Sequence, residues 1–480
     1  MSLSVTIRKM TYTTLSEGAS VLRDVHFATS SGESVGILGR NGCGKTSLAY
    51  AIAGIVPRLV HGAVDGEIEY RGVQLAQSST RNWLTKVGVL FQDCDSQFFS
   101  LRVGDEFPNS DVVDQFGLHD FLDRSPSELS MGQRQKVALA VAVAKKPEML
   151  ILDEPGTTLD PPSRRRLMEI LERLRDSGME MLVLSQRQDG ILGITSRVLG
   201  LKNGGVCLDC PREALTTNAV ADLFEIDVAS LEGMPPAAEV PGSEGKEVTL
   251  CEGIEFWYSG TPFRLVIEQP LVVRQGTVLG LAGANGSGKS TLLYVLAGLL
   301  KARRGSTFVS TSLAKSKCRA AIVFQNPNHQ IFGRSLREEI VFGLENLGLP
   351  RQEIEQRVAW SQDFFELGDL ARDPHTLSYG QRKILALACA FVMEPDVVLL
   401  DEPELGLDLH YRVAVEGLIR EWRKTRGTSF VIASHDLDLM KRETQALALI
   451  DNGKVLSAGP TREVFAAVCE HFGTDEHGLC

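Results

Sequence analysis

Three short motifs occur twice in this 480-residue chain, in the same order and with nearly the same separation. GRNGCGKTS at Gly39–Ser47 recurs as GANGSGKST at Gly283–Thr291, LSMGQR recurs as LSYGQR, and LILDEP recurs as VLLDEP. A period of about 245 residues is far too long for a solenoid repeat. The sequence therefore predicts two homologous domains in tandem, each long enough to fold on its own.

The stretch between the repeats indicates where the domains end. Residues 233–246 read GMPPAAEVPGSEGK, and prolines and glycines at this density are typical of a linker. We therefore expect one domain at residues 1–232, the linker at 233–246 and a second domain at 247–480.

Each half alternates short apolar runs with amphipathic stretches. This pattern predicts parallel strands joined by crossover helices, and hence an α/β fold. Buried strands are expected at Val35–Leu38, Met149–Leu152, Met181–Leu184, Val278–Leu281, Val397–Leu400 and Phe430–Ala433. Several of these strands end at polar residues, which is where an open α/β sheet places its ligands.

The pattern GxxxxGK[ST], after a strand and before a helix, is a phosphate-binding loop. Its glycines let backbone N–H groups surround phosphate oxygens, and the helix N-terminus adds a favourable dipole. Two copies, each followed about 110 residues later by an apolar run and Asp-Glu-Pro, argue against a chance glycine turn. The loop residues expected to bind phosphate are Gly39, Asn41, Gly42, Gly44, Lys45, Thr46 and Ser47, and Gly283, Asn285, Gly286, Gly288, Lys289, Ser290 and Thr291.

The phosphate-binding loop and the Asp-Glu pair that follows it, here called the acid pair, together predict hydrolysis of ATP with Mg²⁺. The loop lysine is expected to contact the β- and γ-phosphates, and the hydroxyl after it to ligate Mg²⁺. The aspartate that ends the later strand would hold the same ion, and the glutamate after it would polarise the attacking water. In chain order these residues are Lys45, Thr46, Asp153 and Glu154, then Lys289, Ser290, Asp401 and Glu402.

With its LSxGQ elements, the chain resembles the ATP-binding-cassette (ABC) family over nearly its whole length. The resemblance implies two P-loop NTPase domains packed head to tail, so that LSxGQ of one half faces the γ-phosphate held by the other. It also implies a Q-loop glutamine that links Mg²⁺ to a membrane subunit. The matching residues are Ser130, Gly132, Gln133, Ser378, Gly380 and Gln381 in the LSxGQ elements, and Gln92 and Gln325 in the Q-loops.

A narrower resemblance is to energy-coupling-factor importers, the cobalt, nickel and vitamin uptake branch of that family. Phe324–Phe332 reads FQNPNHQIF and is followed by REEIVFGLENLGLP at Arg337–Pro350, as in that branch, and Ala53–Gly72 resembles its tandem members. The first half carries FQDCDSQFF at Phe91–Phe99, but its segment between Q-loop and LSxGQ is shorter. A membrane-docking surface built there is therefore expected to differ between the halves.

The halves also depart from the family pattern in different ways. His435 matches the switch histidine that contacts the γ-phosphate, whereas Gln186 takes this place in the first half. Tyr258 matches the aromatic residue that stacks on adenine, whereas Thr14 has its spacing in the first half, unless Tyr12 substitutes. The resemblance thus implies a complete site in the second half and a degenerate one in the first. The alternative is that the glutamine replaces the histidine without consequence.

Composition restricts where such a chain works. No apolar stretch approaches the roughly 18–20 residues that span a bilayer, and the start, MSLSVTIRKM, lacks the features of a secretory signal. A net charge of -11 offers no broad basic surface for nucleic acid. We therefore expect a cytosolic protein with reduced cysteines. The resemblance to importer subunits further implies a peripheral protein at the cytoplasmic face of the cell membrane. Cys207 and Cys210 are expected in a strand and turn, and Cys469, His471, His477 and Cys480 in a frayed tail.

The leading interpretation is the ATP-hydrolysing subunit of an energy-coupling-factor importer. Its partners would be an integral membrane coupling protein and a substrate-binding membrane protein that chooses the substrate, with no nucleic acid. One alternative is a soluble tandem ABC ATPase acting on ribosomes or DNA, although such translation factors carry a long, charged linker. The other alternative is the ATPase of a different ABC transporter class.

Overall fold

The structure is a computed structural model, and it describes residues 3–14, 20–60, 62–107, 111–187, 193–228, 247–307 and 320–473. These residues form two compact units. The first comprises the described residues up to 228, and the second those from 247 onward apart from Asp408–His410. The expected linker at 233–246 lies outside the described residues.

The first unit contains two sheets and a set of helices. Its strands, β1 to β10 in chain order, are Leu3–Thr14, Ser20–Ser30, Ser34–Leu38, Gly62–Tyr70, Val73–Gln74, Val87–Leu90, Met149–Asp153, Glu180–Ser185, Arg197–Lys202 and Gly205–Pro211. Its helices, α1 to α6, are Lys45–Ile52, Thr80–Lys86, Asp111–Phe116, Met131–Ala144, Pro161–Asp176 and Thr217–Phe224. In the described part of this unit, β1, β2, β4 and β5 form an antiparallel sheet, and the larger sheet has the order β10-β9-β3-β8-β7-β6.

The second unit repeats this plan in one larger sheet. Its strands, β11 to β20, are Glu247–Trp257, Arg264–Ile267, Leu271–Arg274, Val278–Ala282, Arg304–Thr307, Ala320–Val323, Val397–Asp401, Ser429–Ala433, Ala446–Asp451 and Lys454–Pro460. Its helices, α7 to α13, are Lys289–Leu296, Leu336–Asn346, Arg351–Phe364, Tyr379–Phe391, Leu409–Arg426, Leu437–Glu443 and Thr461–Phe472. The sheet has the order β13-β11-β12-β20-β19-β14-β18-β17-β16, with β15 beside β11.

The same run of parallel strands lies at the centre of both units. The order β9-β3-β8-β7-β6 in the first unit corresponds to β19-β14-β18-β17-β16 in the second, and all neighbours in these runs are parallel. All six strands expected from the apolar runs lie within observed strands, so the predicted α/β fold is confirmed in each half. In both units a helix follows the first strand of this run in chain order: α1 follows β3, and α7 follows β14.

Alternate residues of the central strands pack on opposite faces of the sheet, which explains their unbroken apolar sequences. In β7, Leu150 and Leu152 pack with α4 and α5, while Met149 and Ile151 pack on the face that carries α1. The corresponding strand β17 divides in the same way between α10 and α11 on one face and α7 on the other. A strand that is covered on both faces has no solvent-exposed side, so its sequence does not alternate between apolar and polar residues.

The segment before the LSxGQ helix differs between the units, as its length predicts. In the second unit it contains α8 and α9, whereas in the first unit the described residues form only the six-residue helix α3 and short 3-10 turns. None of the described helices is long and apolar enough to cross a bilayer.

Two expectations about cysteines have different outcomes. Cys207 and Cys210 both lie in β10, where residues three apart point to opposite faces, so the strand does not favour joint metal binding. The frayed tail expected for Cys469 and His471 is wrong, because both belong to α13, whereas His477 and Cys480 lie outside the described residues. Cys469 is buried with Val464, Val468 and Phe472, a helical spacing that holds the segment on the core.

Candidate functional site

A glycine loop connects a buried strand to a helix in each unit, β3 to α1 and β14 to α7. The last glycines of these loops, Gly44 and Gly288, have φ of 106° and 111°, a left-handed conformation that other residues adopt only with strain. The turn brings the chain directly into the first turn of the helix, whose N–H groups have no partner within the helix itself. Each loop therefore presents donors suited to an anion.

The loop lysines are buried and held by their own loops. Lys45 Nζ donates to the carbonyl oxygens of Gly39 and Arg40 at 2.8 and 3.1 Å, and Lys289 makes the same two bonds at 2.7 and 3.1 Å. A buried ammonium group needs such acceptors, because an unpaired charge is costly away from water. Both lysines are thus fixed across the loop in which phosphate is expected.

The hydroxyl after each lysine bonds to the aspartate that ends a parallel strand. Thr46 Oγ1 donates to Asp153 Oδ2, and Ser290 Oγ to Asp401 Oδ1, each at 2.9 Å. Burial raises the pKa of both aspartates, that of Asp401 to about 6. Asp153 Oδ1 is buried without a hydrogen-bond partner among the residues described, whereas Asp401 Oδ2 accepts from Tyr294 at 3.3 Å. A hydroxyl beside a carboxylate with spare lone pairs suits Mg²⁺.

The glutamates after these aspartates have an unusual backbone conformation. Glu154 and Glu402 have φ of 55° and 46°, which is uncommon for residues other than glycine. The Glu154 N–H donates to Leu184 O of β8 at 2.9 Å, and the Glu402 N–H donates to Ala433 O of β18 at 2.8 Å. These bonds hold both residues in a conformation of the kind that occurs at functional sites.

In the second unit, Glu402 lies between two cationic groups. Its Oε2 is 2.9 Å from His435 Nδ1, and its Oε1 is 3.7 Å from Lys289 Nζ. Burial opposes ionisation of Glu402, but the charges of His435 and Lys289 outweigh it and bring the pKa to about 2. Burial likewise disfavours protonated His435, but Glu402 outweighs it and the histidine pKa is raised. This glutamate therefore keeps its negative charge at neutral pH.

The first unit surrounds its glutamate differently. Burial raises the pKa of Glu154 to about 7, although the charge of Lys45 acts in the opposite direction. Its Oε2 accepts from the hydroxyls of Thr157 at 3.1 Å and Ser185 at 3.5 Å. Gln186, at the place of the histidine, is buried and bonds to Glu154 through its backbone N–H. An amide cannot become cationic, so it adds no charge here.

Each LSxGQ serine begins a helix. Ser130 caps α4 and Ser378 caps α10, and each forms a capping box with the glutamine three residues later, Gln133 or Gln381. Both serines are exposed, so these helix N-termini are accessible. A Cβ on Gly132 would come within 2.9 Å of Ser163, so the glycine permits close packing of α4 on α5. Gly380 is buried at the same position.

The Q-loop glutamines Gln92 and Gln325 are exposed, and a second glutamine five residues later fixes each loop. Gln97 Nε2 donates to Val89 O at 2.7 Å, and its Oε1 accepts the Phe91 N–H at 2.9 Å. Gln330 makes the corresponding two bonds, each at 3.3 Å. Neither residue was predicted as part of the site, although the FQxxxxQ spacing recurs in both halves.

Lys383, which was also not predicted as a site residue, connects the Q-loop to the acid pair within the second unit. Its buried ammonium group donates to the carbonyl oxygens of Phe324, Gln325 and Asp401 at 2.9, 3.1 and 3.2 Å. Burial lowers its pKa to about 8, although Asp401 favours the charged form. The corresponding residue of the first unit is the neutral Gln135. The sequence could have pointed to Lys383, because a charged residue stands just after LSxGQ in one half and a neutral one in the other.

The aromatic residue expected to stack on adenine is accessible only in the second unit, as far as the described side chains show. Tyr258 is 38% exposed, and its hydroxyl lies 3.3 Å from Thr291 Oγ1 at the start of α7. Tyr12 is 4% exposed and packs in the core like Phe256, so it cannot substitute. The side chain of Thr14 lies outside the described residues.

Large apolar side chains are exposed shortly after each Q-loop. In the second unit, Phe332 and Phe342 are 60% and 50% exposed with ring centroids 4.7 Å apart, and we call them the second apolar edge. Glu339 accepts the Phe332 N–H at 3.0 Å and holds this segment on α8. In the first unit, Phe99 and Leu101 are about 90% exposed and form the first apolar edge. Such residues at the surface of a folded unit suggest contact with a partner.

Comparison with known proteins is consistent with this geometry. Residues 22–157 and 269–404 each match the family described as ABC transporter. A putative ABC transporter ATP-binding protein of Methanosarcina acetivorans is 29% identical to the chain, covering 97% of it and 87% of the relative. One from Vibrio parahaemolyticus is 27% identical, covering 93% and 87%.

Solved structures with a similar fold include two tandem proteins. The archaeal ribosome recycling factor aABCE1, crystallised with the ribosomal stalk protein aP1, has a TM-score of 0.69 at 20% identity, covering 97% of this chain and 92% of that one. The RNase-L inhibitor has a TM-score of 0.67 at 19% identity, covering 98% and 93%. At these identities the similarity shows the fold alone.

Proposed function

Because this chain belongs to the ABC transporter family and is an ABC ATPase with two cassettes in tandem, we propose that it is the ATP-hydrolysing subunit of an importer of the energy-coupling-factor type. The chain would bind, as a peripheral protein at the cytoplasmic face, to integral membrane subunits that select the substrate. Its relatives over more than 90% of its length are named transporter ATP-binding proteins, which supports transport.

The observation that carries this proposal is the second apolar edge. Phe332 and Phe342 are paired at the surface next to the Q-loop, the element that connects the nucleotide site with a membrane subunit in this family. Exposing two phenyl rings costs hydrophobic free energy unless a partner covers them, roughly 1.5–3 kcal/mol for each fully buried ring. An apolar surface segment of a membrane subunit is the partner that we propose.

At the second-unit site, the residues of this chain divide the work of hydrolysis. The loop N–H groups and Lys289 bind the phosphates, and Ser290 with Asp401 holds Mg²⁺, which when bound neutralises phosphate charge. Glu402 orients and polarises the attacking water, and His435 stabilises the charge on the γ-phosphate. Gln325 and Tyr258 contribute the link to the membrane subunit and a face for adenine.

We further propose that the cassettes act head to tail, with unequal sites. Ser130 at the N-terminus of α4 would contact the γ-phosphate held at Lys289, and Ser378 would serve the phosphate held at Lys45. The first site would mainly hold ATP, because Glu154 lacks the cationic partner that Glu402 has in His435. ATP bound there would keep the two cassettes together.

A soluble function on ribosomes is the second candidate. The observation that favours it is the similarity to the archaeal ribosome recycling factor over 97% of this chain. That similarity concerns the fold and not the function. The acidic net charge of -11 argues against a broad contact with ribosomal RNA. Fractionation of cell extracts separates the candidates, because the importer subunit sediments with membranes and the alternative with ribosomes.

The docking surface can be tested in the same assay. Phe332→Asp combined with Phe342→Asp should release most of the chain from membranes, because a carboxylate is costly in an apolar contact, while ATP binding is kept. Leu456→Asp, at an exposed position of β20, is the matched control and should stay bound. Equal membrane binding by the wild type and the double variant, or sedimentation of the wild type with ribosomes alone, contradicts the proposal.

A further inference from the structure

Tyr379 occupies the variable position of LSYGQ and is the first residue of α10. Its hydroxyl donates to the backbone carbonyl oxygen of Gln325 at 2.9 Å, although 54 positions separate the two residues in the sequence. The tyrosine therefore connects the start of α10 with the Q-loop inside the second unit. The bond holds the main chain at the residue whose side chain is proposed to link the nucleotide with a membrane subunit.

The ring of Tyr379 is fixed by the turn that follows the acid pair. A Cβ at Gly406 would lie 2.5 and 2.6 Å from Cδ1 and Cε1 of this ring, so the ring lies directly against the glycine. The close approach requires a residue without a side chain, and the φ of 76° at Gly406 also favours glycine. Because packing restricts the ring, its hydroxyl is directed at the Q-loop at a small entropic cost.

A second donor from the same helix reaches the same carbonyl group. Lys383 follows Tyr379 by four residues, so both side chains lie on one face of α10. Its ammonium group donates to Gln325 O at 3.1 Å and to Phe324 O at 2.9 Å. A carbonyl oxygen has two lone pairs and can accept both bonds. The start of α10 thus holds the backbone of this Q-loop from two positions.

The first unit connects its helix and Q-loop in another way. Met131 corresponds to Tyr379, and a methionine has no group that could donate a hydrogen bond. Helix α4 instead reaches the Q-loop through Arg134, whose Nη1 donates to both carboxylate oxygens of Asp95 at 3.1 and 2.9 Å. The side chain of Asp95 is about half exposed, and an exposed ion pair contributes only about 0–1 kcal/mol. This link also lies three residues beyond Gln92.

The residue before each Q-loop glutamine is held in the same way in both units. The rings of Tyr50 and Phe91 meet edge to face with centroids 5.6 Å apart, and those of Tyr294 and Phe324 do so at 5.4 Å. The two Q-loops therefore begin alike. The difference between them arises at the glutamine itself, where only the second unit has a tyrosine hydroxyl to offer.

We propose that Tyr379 is a positioning residue for the second nucleotide site: its hydroxyl fixes the backbone of Gln325, and thereby the place from which the Gln325 side chain acts. The inference rests on the proposed role of Gln325 in the Q-loop. The side chain of Tyr379 acts through Gln325 and needs no contact of its own with ATP. Losing the hydroxyl would let the Q-loop backbone move and would make the productive position of Gln325 less populated.

The test is Tyr379→Phe in the full chain, because phenylalanine keeps the ring against Gly406 and removes only the hydroxyl. Amide hydrogen exchange at residues 326–331, measured without nucleotide, should become about threefold faster, as expected for one lost hydrogen bond. The kcat for MgATP should fall about threefold, while KM stays within about twofold, because the loop is displaced after ATP has bound as before. Tyr379→Met, which introduces the first-unit residue, should have at least the same effect.

Tyr70→Phe is the matched control. It removes a hydroxyl of the same kind, which donates to Glu180 Oε2 at 3.2 Å in the first unit. Its effect on Tm should resemble that of Tyr379→Phe, but exchange at residues 326–331 and kcat should both stay at the wild-type values. A comparable change of both readouts in this control would mean that any lost hydroxyl bond suffices, and would overturn the inference.

Two results for Tyr379→Phe would also overturn it. Unchanged exchange at residues 326–331 would mean that the hydroxyl does not hold the Q-loop, and faster exchange with a wild-type kcat would mean that the bond is merely structural. Gln325→Ala is measured in parallel. Wild-type turnover in Gln325→Ala contradicts the proposed role of the Q-loop, whereas lowered turnover there with normal turnover in Tyr379→Phe contradicts this inference alone.

Discussion

Single side chains set the difference between the two nucleotide sites. Glu402 is flanked by His435 and Lys289, and its pKa falls to about 2, whereas the pKa of Glu154 rises to about 7 beside the neutral Gln186. At neutral pH the second-unit glutamate is fully ionised and the first-unit glutamate only in part. The charge of His435, which the neutral Gln186 cannot supply, is therefore a main difference between the surroundings of the two glutamates.

The raised pKa of Glu154 predicts a pH-dependent effect on stability. The folded chain holds this proton more tightly than the unfolded chain, whose glutamate has a pKa near 4.5. The stability from this group is fully present below pH 4.5 and is lost as the pH rises through 7. Glu154→Gln removes the ionisation, so its advantage over the wild type in free energy of unfolding should grow from pH 5 to pH 8, by up to about 3 kcal/mol, and should be measured as a growing difference in Tm. The same Tm difference at both pH values would contradict the prediction.

A histidine at position 186 should partly restore the first site. In a Glu402→Gln background, Gln186→His supplies the missing cationic group, and the remaining ATPase rate should rise on the order of tenfold. Gln352→His, at an exposed position of α9, is the control and should leave the rate unchanged. An unchanged rate in both variants would mean that the histidine is not what the first site lacks.

At the scale of helices and strands, function depends on where elements begin and end. The glycine loops, the acid pairs and the switch residues all lie at the carboxyl ends of parallel strands, and LSxGQ lies at a helix N-terminus capped by its own serine. These placements follow from motif and hydrophobic pattern, so the sequence predicts them well. Lys383 and Gln97 stand at positions that the sequence marks, but the backbone groups to which they bond are known only from the fold.

The helix that Ser130 begins offers a test of the head-to-tail arrangement. Ser130→Tyr should block the contact with ATP held at Lys289 and lower turnover at least tenfold, with little change in ATP binding. Ser378→Tyr is the matched variant. It should lower turnover much less, because Ser378 serves the site that contributes less hydrolysis. The measurement is the ATPase rate of each full-length variant at saturating ATP. Equal losses, or a larger loss for Ser378→Tyr, would contradict the arrangement.

For the whole molecule, the duplication was the most informative sequence feature. Motif order and spacing predicted two cassettes, and the observed strand order repeats in both units. The C-terminal helix α13 was missed, because its apolar residues looked like an isolated tail without the sheet that covers them. The pKa differences between the sites could not be predicted from the sequence either, because they arise from burial and from charges that folding brings together.

The central claim is that one site, built on Lys289, Glu402 and His435, does most of the hydrolysis. It is tested most directly by ATPase and uptake rates of Glu402→Gln and Glu154→Gln, each in the chain assembled with its membrane partners. We predict that Glu402→Gln abolishes most turnover, by about 10²-fold or more, whereas Glu154→Gln keeps a substantial fraction. Equal losses in the two variants would contradict the account, and would mean that Gln186 serves as well as a histidine.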